Sequence, residues 1–226
     1  SILRAVGRTG KAGGPAVVQD EDQGLLAGWI RRLELVHERR PDYVPQPMYA
    51  DSKLRTISHE QFLDARSTTP YLKRRWRYYR EAMAMVRRLA PRRVLEVGAA
   101  FTPLIPDSDR LDYQEKFQPK FLHDATVTPW PIPDQSYDLV IALQVWEHLG
   151  DRQVEAFNEL PRIARYAILS LPYKWRRKSN PSHSNIDDAV VSRWTGGLRP
   201  LETVEVPRVG RHRRKIYLFD LSEARR

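Results

Sequence analysis

The stretch RRVLEVGAAFTPLIPDSDRLDYQEKF, residues 92–117, decides the fold of this chain. Residues 93–98 combine successive apolar side chains with a terminal glycine, which predicts a buried parallel strand followed by a loop. Gly98 lets the backbone of that loop approach a bound ligand closely. Loops that cradle a dinucleotide carry further glycines at fixed spacing, but Ala99 and Ala100 follow directly here. The stretch therefore predicts an α/β sheet that binds a ligand, and it disfavours a dinucleotide.

The connection after this first strand is too short and too rich in proline for a regular helix. Pro103 and Pro106 fall within it, and a proline inside a helix removes a donor and clashes with the preceding turn. The segment between Gly98 and Arg110 is also close to the lower limit of about 10–12 residues for a whole crossover. We therefore expect a shortened first crossover, with Asp112 closing the second strand.

Further elements of the sheet domain, which we expect over residues 91–226, follow from apolar runs and turn residues. Strands are predicted at residues 109–113, 120–124, 137–143 and 165–171, and an antiparallel hairpin at 201–206 and 215–221. Helices are predicted at residues 151–164, with an interruption near Pro161, and at 186–197, with Gly196 and Gly197 as its stop.

The N-terminal part of the chain has a different character. Residues 1–18 are rich in glycine and basic residues without apolar periodicity, which predicts a flexible basic arm. Residues 19–90 predict a helical extension whose first helix is capped by Asp20 or Asp22. A second helix is expected to begin at Pro70, a residue favoured at the first helical position.

Composition excludes several classes of protein. A hydrophobic content of 41% in 226 residues fits a folded enzyme, and the absence of cysteine excludes disulfides and a thiol nucleophile. No apolar run approaches the ~20 residues that cross a bilayer, and nothing resembles a signal peptide. We therefore expect no membrane association and a cytoplasmic location.

The net charge of +10 is concentrated in two basic runs. They are YKWRRK, residues 173–178, and RVGRHRRK, residues 208–215. Either run alone fits a solvated surface. Together they predict a basic patch that faces an anionic acceptor.

Polar residues follow the predicted parallel strands, at the sheet edge where ligands of open α/β sheets bind. Asp112 is suited to accept hydrogen bonds from two ribose hydroxyls. Asp124, with the backbone N–H of Ala125, is suited to read an adenine edge. Gln144 and His148 lie just beyond the fourth strand.

These motifs resemble the class I S-adenosylmethionine (SAM)-dependent methyltransferases, particularly the type 11 group. The matching text is VLEVGAA, RLDYQ and HDATVTPWPIPDQSYDLVIALQVWEHL, at residues 94–100, 110–114 and 123–149. The resemblance implies a Rossmann-like sheet with helices on both faces. It implies SAM as the cofactor, bound by Glu96, Gly98, Ala99, Asp112, Tyr113, Asp124, Ala125 and Gln144. Because SAM has no pyrophosphate, a loop with one glycine suffices.

The activity expected from this resemblance is methyl transfer to a small-molecule acceptor at a hydroxyl, as in a sugar or secondary metabolite. His148 is the first candidate for the general base, although the position is also suited to a structural role, and His183 is the second. No metal site is expected, since Asp187 and Asp188 fit the N-terminus of a helix capped by Ser184 or Asn185.

Two other functions stay open. The chain is alternatively an RNA methyltransferase, with the basic runs on phosphates and Tyr173 or Trp175 stacked on a base. It is otherwise a degenerate homologue that keeps the fold without turnover. The sequence leaves the oligomeric state undetermined.

Overall fold

The computed structural model describes residues 37–39, 47–65, 70–176, 181–209 and 212–225. The predicted basic arm and the helix expected after it lie outside these residues. Residues 37–226 form one compact unit. The described part of the N-terminal extension therefore belongs to the same unit as the sheet.

The unit is built on one sheet of eight strands. The strands are β1 (His37–Arg39), β2 (Val94–Val97), β3 (Asp109–Asp112), β4 (Phe121–Leu122), β5 (Tyr137–Leu143), β6 (Ala164–Tyr173), β7 (Glu202–Val209) and β8 (His212–Asp220). Their order in the sheet is β1-β7-β8-β6-β5-β2-β3-β4. Strands β4, β3, β2, β5 and β6 are parallel, whereas β8, β7 and β1 join antiparallel. The parallel part has the doubly wound order, with its switch point between β2 and β5.

The strands predicted from apolar runs are confirmed, with altered bounds. All seven residues of β5 and all four of β2 are buried, as expected for strands covered on both faces. The hairpin of β7 and β8 is also confirmed. β4 is shorter than predicted, because the chain turns at Asp124, whose carboxylate accepts from the backbone N–H of Thr126. β1 is a strand in a region that the sequence assigned to the helical extension.

Helices cover both faces of the sheet. They are α1 (His59–Ala65), α2 (Pro70–Leu89), α3 (Gln153–Ile163) and α4 (Asp188–Trp194). Successive strand residues point to opposite faces, and Leu95 and Val97 share one core cluster with buried residues of α3 and α4. Helix α2 packs on β6, β7 and β8 outside that cluster. Its Arg88 forms an ion pair with the buried Glu202 of β7, at 2.6 Å.

Two helix predictions are corrected by the structure. Pro161 does not interrupt α3, since the helix runs from Gln153 to Ile163 with Pro161 inside it. The N-cap of α4 is Asp187, whose side chain accepts from the backbone N–H of Val190 at 3.0 Å, rather than Ser184 or Asn185.

Helix α1 was not predicted, although the sequence carries a signal for it. Ser58 and Gln61 form a reciprocal capping box: the Gln61 N–H donates to Ser58 Oγ, and the Ser58 N–H donates to Gln61 Oε1. A serine followed three residues later by glutamine is the sequence signature of this motif. Helix α1 buries the side chain of Phe62.

The first crossover is an extended loop, as expected from its prolines; no helix occurs at residues 98–108. The buried carboxylate of Glu96 holds this loop. It accepts hydrogen bonds from the N–H groups of Leu104 and Ile105, at 2.7 and 2.8 Å, and from Ser108 Oγ at 2.8 Å. The side chain of Glu96 thus fixes this loop, whereas a crossover helix would be held by its own backbone hydrogen bonds.

Within the described residues, every helix is too short or too polar to cross a lipid bilayer.

We predict that Glu96→Gln lowers the free energy of unfolding by about 1–3 kcal/mol, the cost of leaving a buried donor unsatisfied. The amide nitrogen of glutamine would face a backbone N–H that now donates to a carboxylate oxygen. Urea denaturation measures the change, and Ser108→Ala, which removes only one donor, serves as the milder comparison. Equal stability of Glu96→Gln and the parent would contradict this role of Glu96.

Candidate cofactor and acceptor site

A cleft of about 500 Å³ opens at the carboxyl ends of β2, β3, β4 and β5. This is the switch point at which open α/β sheets bind ligands. Seven of the ten predicted site residues line it: Gly98, Asp112, Tyr113, Asp124, Ala125, Gln144 and His148. The other three, Glu96, Ala99 and His183, lie outside its wall.

Gly98 is required at the start of the cleft for two reasons. Its φ of +63° is a backbone conformation that side chains disfavour, and a Cβ at this position would lie 2.8 Å from Cγ2 of Val145. Two residues later, Ala100 also has a positive φ and lines the cleft. The alanine that faces the ligand space is therefore Ala100 and not the predicted Ala99. Glu96 serves the crossover loop from within the core instead of the cleft.

Asp112 closes β3 as predicted and is buried. Its Oδ1 accepts from the backbone N–H of Gln114 at 2.9 Å, and no described residue hydrogen-bonds to Oδ2. A buried carboxylate with one oxygen oriented and the other available suits a pair of ribose hydroxyls. Tyr113, the next residue, is exposed and accepts from Gln114 Nε2 at 2.8 Å.

Asp124 and Ala125 form a tight turn at the end of β4. Asp124 Oδ1 accepts from the N–H and the hydroxyl of Thr126, at 2.9 and 2.8 Å, and these hydrogen bonds lower the pKa of Asp124. The carbonyl of Ala125 accepts from Trp130 Nε1. The turn is thus rigid, and it presents an ionised carboxylate to the cleft.

Gln144 follows β5 with a φ of +62°. Its Nε2 donates to Ser170 Oγ at 3.1 Å, and its Oε1 accepts from Arg214 Nε at 2.9 Å. Strained backbone persists where surrounding contacts hold it, often at functional sites. Because both ends of the amide already bond to the protein, Gln144 shapes the wall and ties β5 to β6 and β8.

The 3₁₀ turn after β5 brings Glu147 and His148 to the far end of the cleft. Glu147 is 1% exposed, and burial raises its pKa to about 8. No described residue hydrogen-bonds to either of its carboxylate oxygens. His148 is exposed on the cleft wall, and partial desolvation lowers its pKa, which favours the neutral imidazole.

His183 comes from the segment between β6 and α4 and meets these residues in space. Its Nε2 lies 3.9 Å from Glu147 Oε1. The ring centroids of His183 and His148 are 4.6 Å apart, and the two rings are nearly perpendicular. The ring of Trp175 stacks on that of His183, with the centroids 5.9 Å apart. The two histidines predicted separately therefore form one cluster with Glu147.

The carboxylates after His183 are used by the fold. Asp187 caps α4, and Asp188 accepts from the hydroxyls of Tyr173 and Tyr217 and from Lys215 Nζ. The hydrogen bonds from Tyr217 and Lys215 lower the pKa of Asp188 in spite of its partial burial.

The two basic runs lie beside each other, since Tyr173 pairs with Arg213 and Leu171 with Lys215 across β6 and β8. They are not a uniform surface patch as predicted, because Lys215 is buried against Asp188. Arg176 and Arg213 are exposed. Lys174 is exposed as well and Arg214 is half-buried. The structure does not describe the basic side chains at positions 177, 178, 208, 211 and 212.

Tyr173 and Trp175, the rings suggested for stacking on an RNA base, are 4% and 6% exposed. A stacking platform needs an accessible ring face. The structure thus removes this support for the RNA alternative.

Comparison with known proteins agrees with this geometry. Residues 78–166, fewer than half of the chain, match the family model described as "Methyltransferase domain". No curated protein sequence matches the chain.

Three solved structures are similar at low identity. A SAM-dependent methyltransferase from Aquifex aeolicus is 18% identical, with 56% of this chain and 81% of that chain covered and a TM-score of 0.42. The N-methyltransferase NodS from Bradyrhizobium japonicum WM9, solved with S-adenosyl-L-homocysteine, is 12% identical, with coverages of 68% and 89% and a TM-score of 0.49. The methyltransferase domain of bacterial CtHen1 is 12% identical, with coverages of 65% and 98% and a TM-score of 0.49.

An open, doubly wound sheet with a polar cleft at its switch point defines a cofactor-binding α/β domain. The family match spans β2, β3, β4 and β5, the four strands whose ends form that cleft. Residues 78–166 are therefore similar to a methyltransferase domain, and this segment supplies the strand ends that form the cleft.

We predict that Asp112→Ala weakens SAM binding by about 1–3 kcal/mol, the scale of hydrogen bonds to a charged group. Isothermal titration calorimetry measures the affinity, and the melting temperature without ligand should change little. Asp107→Ala, at an exposed carboxylate outside the cleft, is the matched control. An unaltered affinity of Asp112→Ala would remove Asp112 from the cofactor site.

Proposed function

We propose that this protein transfers the methyl group of SAM to a hydroxyl oxygen of a small-molecule acceptor. The observation that carries the proposal is the cluster of Glu147, His148 and His183, where His148 also belongs to the wall of the cofactor cleft. Methyl transfer forms a C–O bond, breaks the S–C bond of the sulfonium and releases S-adenosylhomocysteine. The hydroxyl proton must also leave, and neutral imidazoles are the side chains best suited to assist that step near pH 7.

Alignment supplies the rest of the catalysis. The sulfonium already provides the electrophile, so the protein mainly holds the acceptor oxygen in line with the methyl group. The rigid turn at Asp124 and the fixed side chain of Gln144 hold the walls of the cleft in place. A volume of about 500 Å³ is in the range of pockets for small ligands.

The acceptor is proposed to be anionic. Arg214 reaches from β8 to Gln144 at the cleft wall, and Arg176 and Arg213 are exposed near the same sheet edge. Positive charge at the mouth of a cleft raises the local concentration of anions and their association rate.

The direct test is methyl transfer from radiolabelled SAM to three sets of acceptors: hydroxylated compounds with and without a carboxylate or phosphate, primary amines, and short RNA. We expect methyl ethers from the hydroxylated set, identified by mass spectrometry. Methylated amines or RNA as the main product would refute the proposal, as would the absence of transfer to any hydroxyl.

We predict that His148→Ala and His183→Ala each lower kcat by about 10²–10⁴, the range for proton-transfer groups. SAM affinity, measured by calorimetry, should stay close to that of the parent. His59→Ala, which replaces an imidazole of α1 outside the cluster, is the control and should retain full kcat. If both cluster variants retain full kcat, the imidazoles do not assist the reaction.

The anionic acceptor gives a separate prediction. Replacing Arg176 and Arg213 together by glutamine should raise the KM for a carboxylated or phosphorylated acceptor at low salt while SAM binding stays unchanged. The difference should shrink as salt rises, because screening weakens interactions between exposed charges. Equal KM values of variant and parent at low salt would show that these arginines do not steer the acceptor.

A further inference from the structure

We propose that Glu147, His148 and His183 bind a divalent transition-metal cation at the acceptor end of the cleft. One ligand atom of each residue lies within 4.8 Å of the others. The three side chains come from two separate segments, the 3₁₀ turn after β5 and the one before α4. Neither the sequence motifs nor the matching family model assigns a metal to them.

The buried carboxylate of Glu147 is the first argument. A carboxylate that is removed from water without hydrogen bonds is strongly destabilising unless a charge partner is present. Arg75 and Arg214 are close enough to influence its charge, but Glu147 accepts no hydrogen bond from either. The ion-pair partner of Glu147 is His183, whose Nε2 lies 3.9 Å from Glu147 Oε1. A cation between these two side chains would satisfy the carboxylate directly.

The donor set is the second argument. Two imidazoles and one carboxylate are the protein ligands of several catalytic metal sites, which keep at least one position open for water or substrate. Imidazole favours Zn²⁺, Co²⁺ and Fe²⁺, whereas Mg²⁺ and Ca²⁺ prefer oxygen ligands. Ligands about 2.0–2.2 Å from a tetrahedral ion lie roughly 3.4 Å apart. Small side-chain rotations therefore close the cluster around a cation.

The position of His148 is the third argument, because this residue belongs to both the cluster and the cleft wall. The ring of Trp175 stacks on that of His183, with the ring centroids 5.9 Å apart. An ion bound here therefore has its open position at the cleft, next to the space for the acceptor.

The role of the cation rests on the proposed function. A bound hydroxyl oxygen loses its proton at lower pH when a cation polarises it. The proton passes to water, the oxygen attacks the methyl carbon, and the sulfonium takes the electron pair of the broken S–C bond. The histidines then assist proton loss as ligands of the cation, and no redox change occurs.

Cation binding is tested on the full chain after treatment with a chelator, without SAM or acceptor. Zn²⁺ and Co²⁺ are each titrated alone by calorimetry, and Co²⁺ binding is also followed by its visible absorption. We expect one saturable site and a higher melting temperature with the ion. Glu147→Gln and His148→Ala should each weaken binding at least tenfold, whereas the controls Glu155→Gln and His59→Ala should bind like the parent.

A folding defect does not obscure this test. Without metal, Glu147→Gln should melt close to the temperature of the parent, because an amide of the same size replaces a buried carboxyl group that accepts no hydrogen bond. His148→Ala changes an exposed side chain. Absence of saturable binding of both ions to the parent, or unchanged binding by both variants, would overturn the site.

Methyl transfer is measured separately, so that the two proposals fail in different ways. Loss of transfer to hydroxyls on chelation, restored by Zn²⁺ or Co²⁺, supports the role of the cation. Full transfer in the presence of chelator overturns that role while O-methylation stands. Binding of the ion without transfer to any hydroxyl confirms the metal site and refutes the proposed function.

Discussion

The carboxylate of Glu96 is the interaction on which the cofactor side of the fold depends. It replaces a crossover helix by holding three donors of the loop after β2. That loop is a point of attachment for the rest of the chain: Tyr79 of α2 donates to the carbonyl of Thr102, and the N–H of Ile57 donates to the carbonyl of Leu104. The loop geometry also sets where Gly98 meets Val145 across the cleft. One buried carboxyl group thus couples the N-terminal helices to the ligand-binding edge.

Much of this fold could be predicted from local sequence, because buried parallel strands are apolar on successive residues and prolines limit helices. β5 and the start of α2 at Pro70 were predicted to the residue. The predictions were wrong where the same residue type is compatible with more than one local structure. Pro161 was expected to interrupt α3, but the helix continues through it to Ile163. Residues 37–39 form an edge strand only because β7 is available as a partner, which no local pattern reveals.

The cleft was predictable in part for the same reason. Polar residues that end or follow parallel strands lie at one edge of the sheet. Asp112, Asp124 and His148 therefore line the same cleft. The role of Glu96 was not predictable, since nothing in the sequence shows that its side chain faces the crossover loop rather than the cleft. The cluster with His183 was also hidden. The sequence separates Glu147 from His183 by a helix and a strand, and only β6 returning beside β5 brings them together.

The site divides into two halves with different origins. The cofactor half consists of the ends of β2, β3, β4 and β5, all within the segment that matches the methyltransferase family. The proposed acceptor half adds Trp175, His183 and Arg214, which lie beyond that segment, just after β6, on the connection to α4 and on β8. A common cofactor demands a common geometry, whereas an acceptor demands only that its oxygen reach the methyl group. We therefore propose that the C-terminal strands determine the acceptor specificity, with Glu147 and His148 at the junction of the two halves.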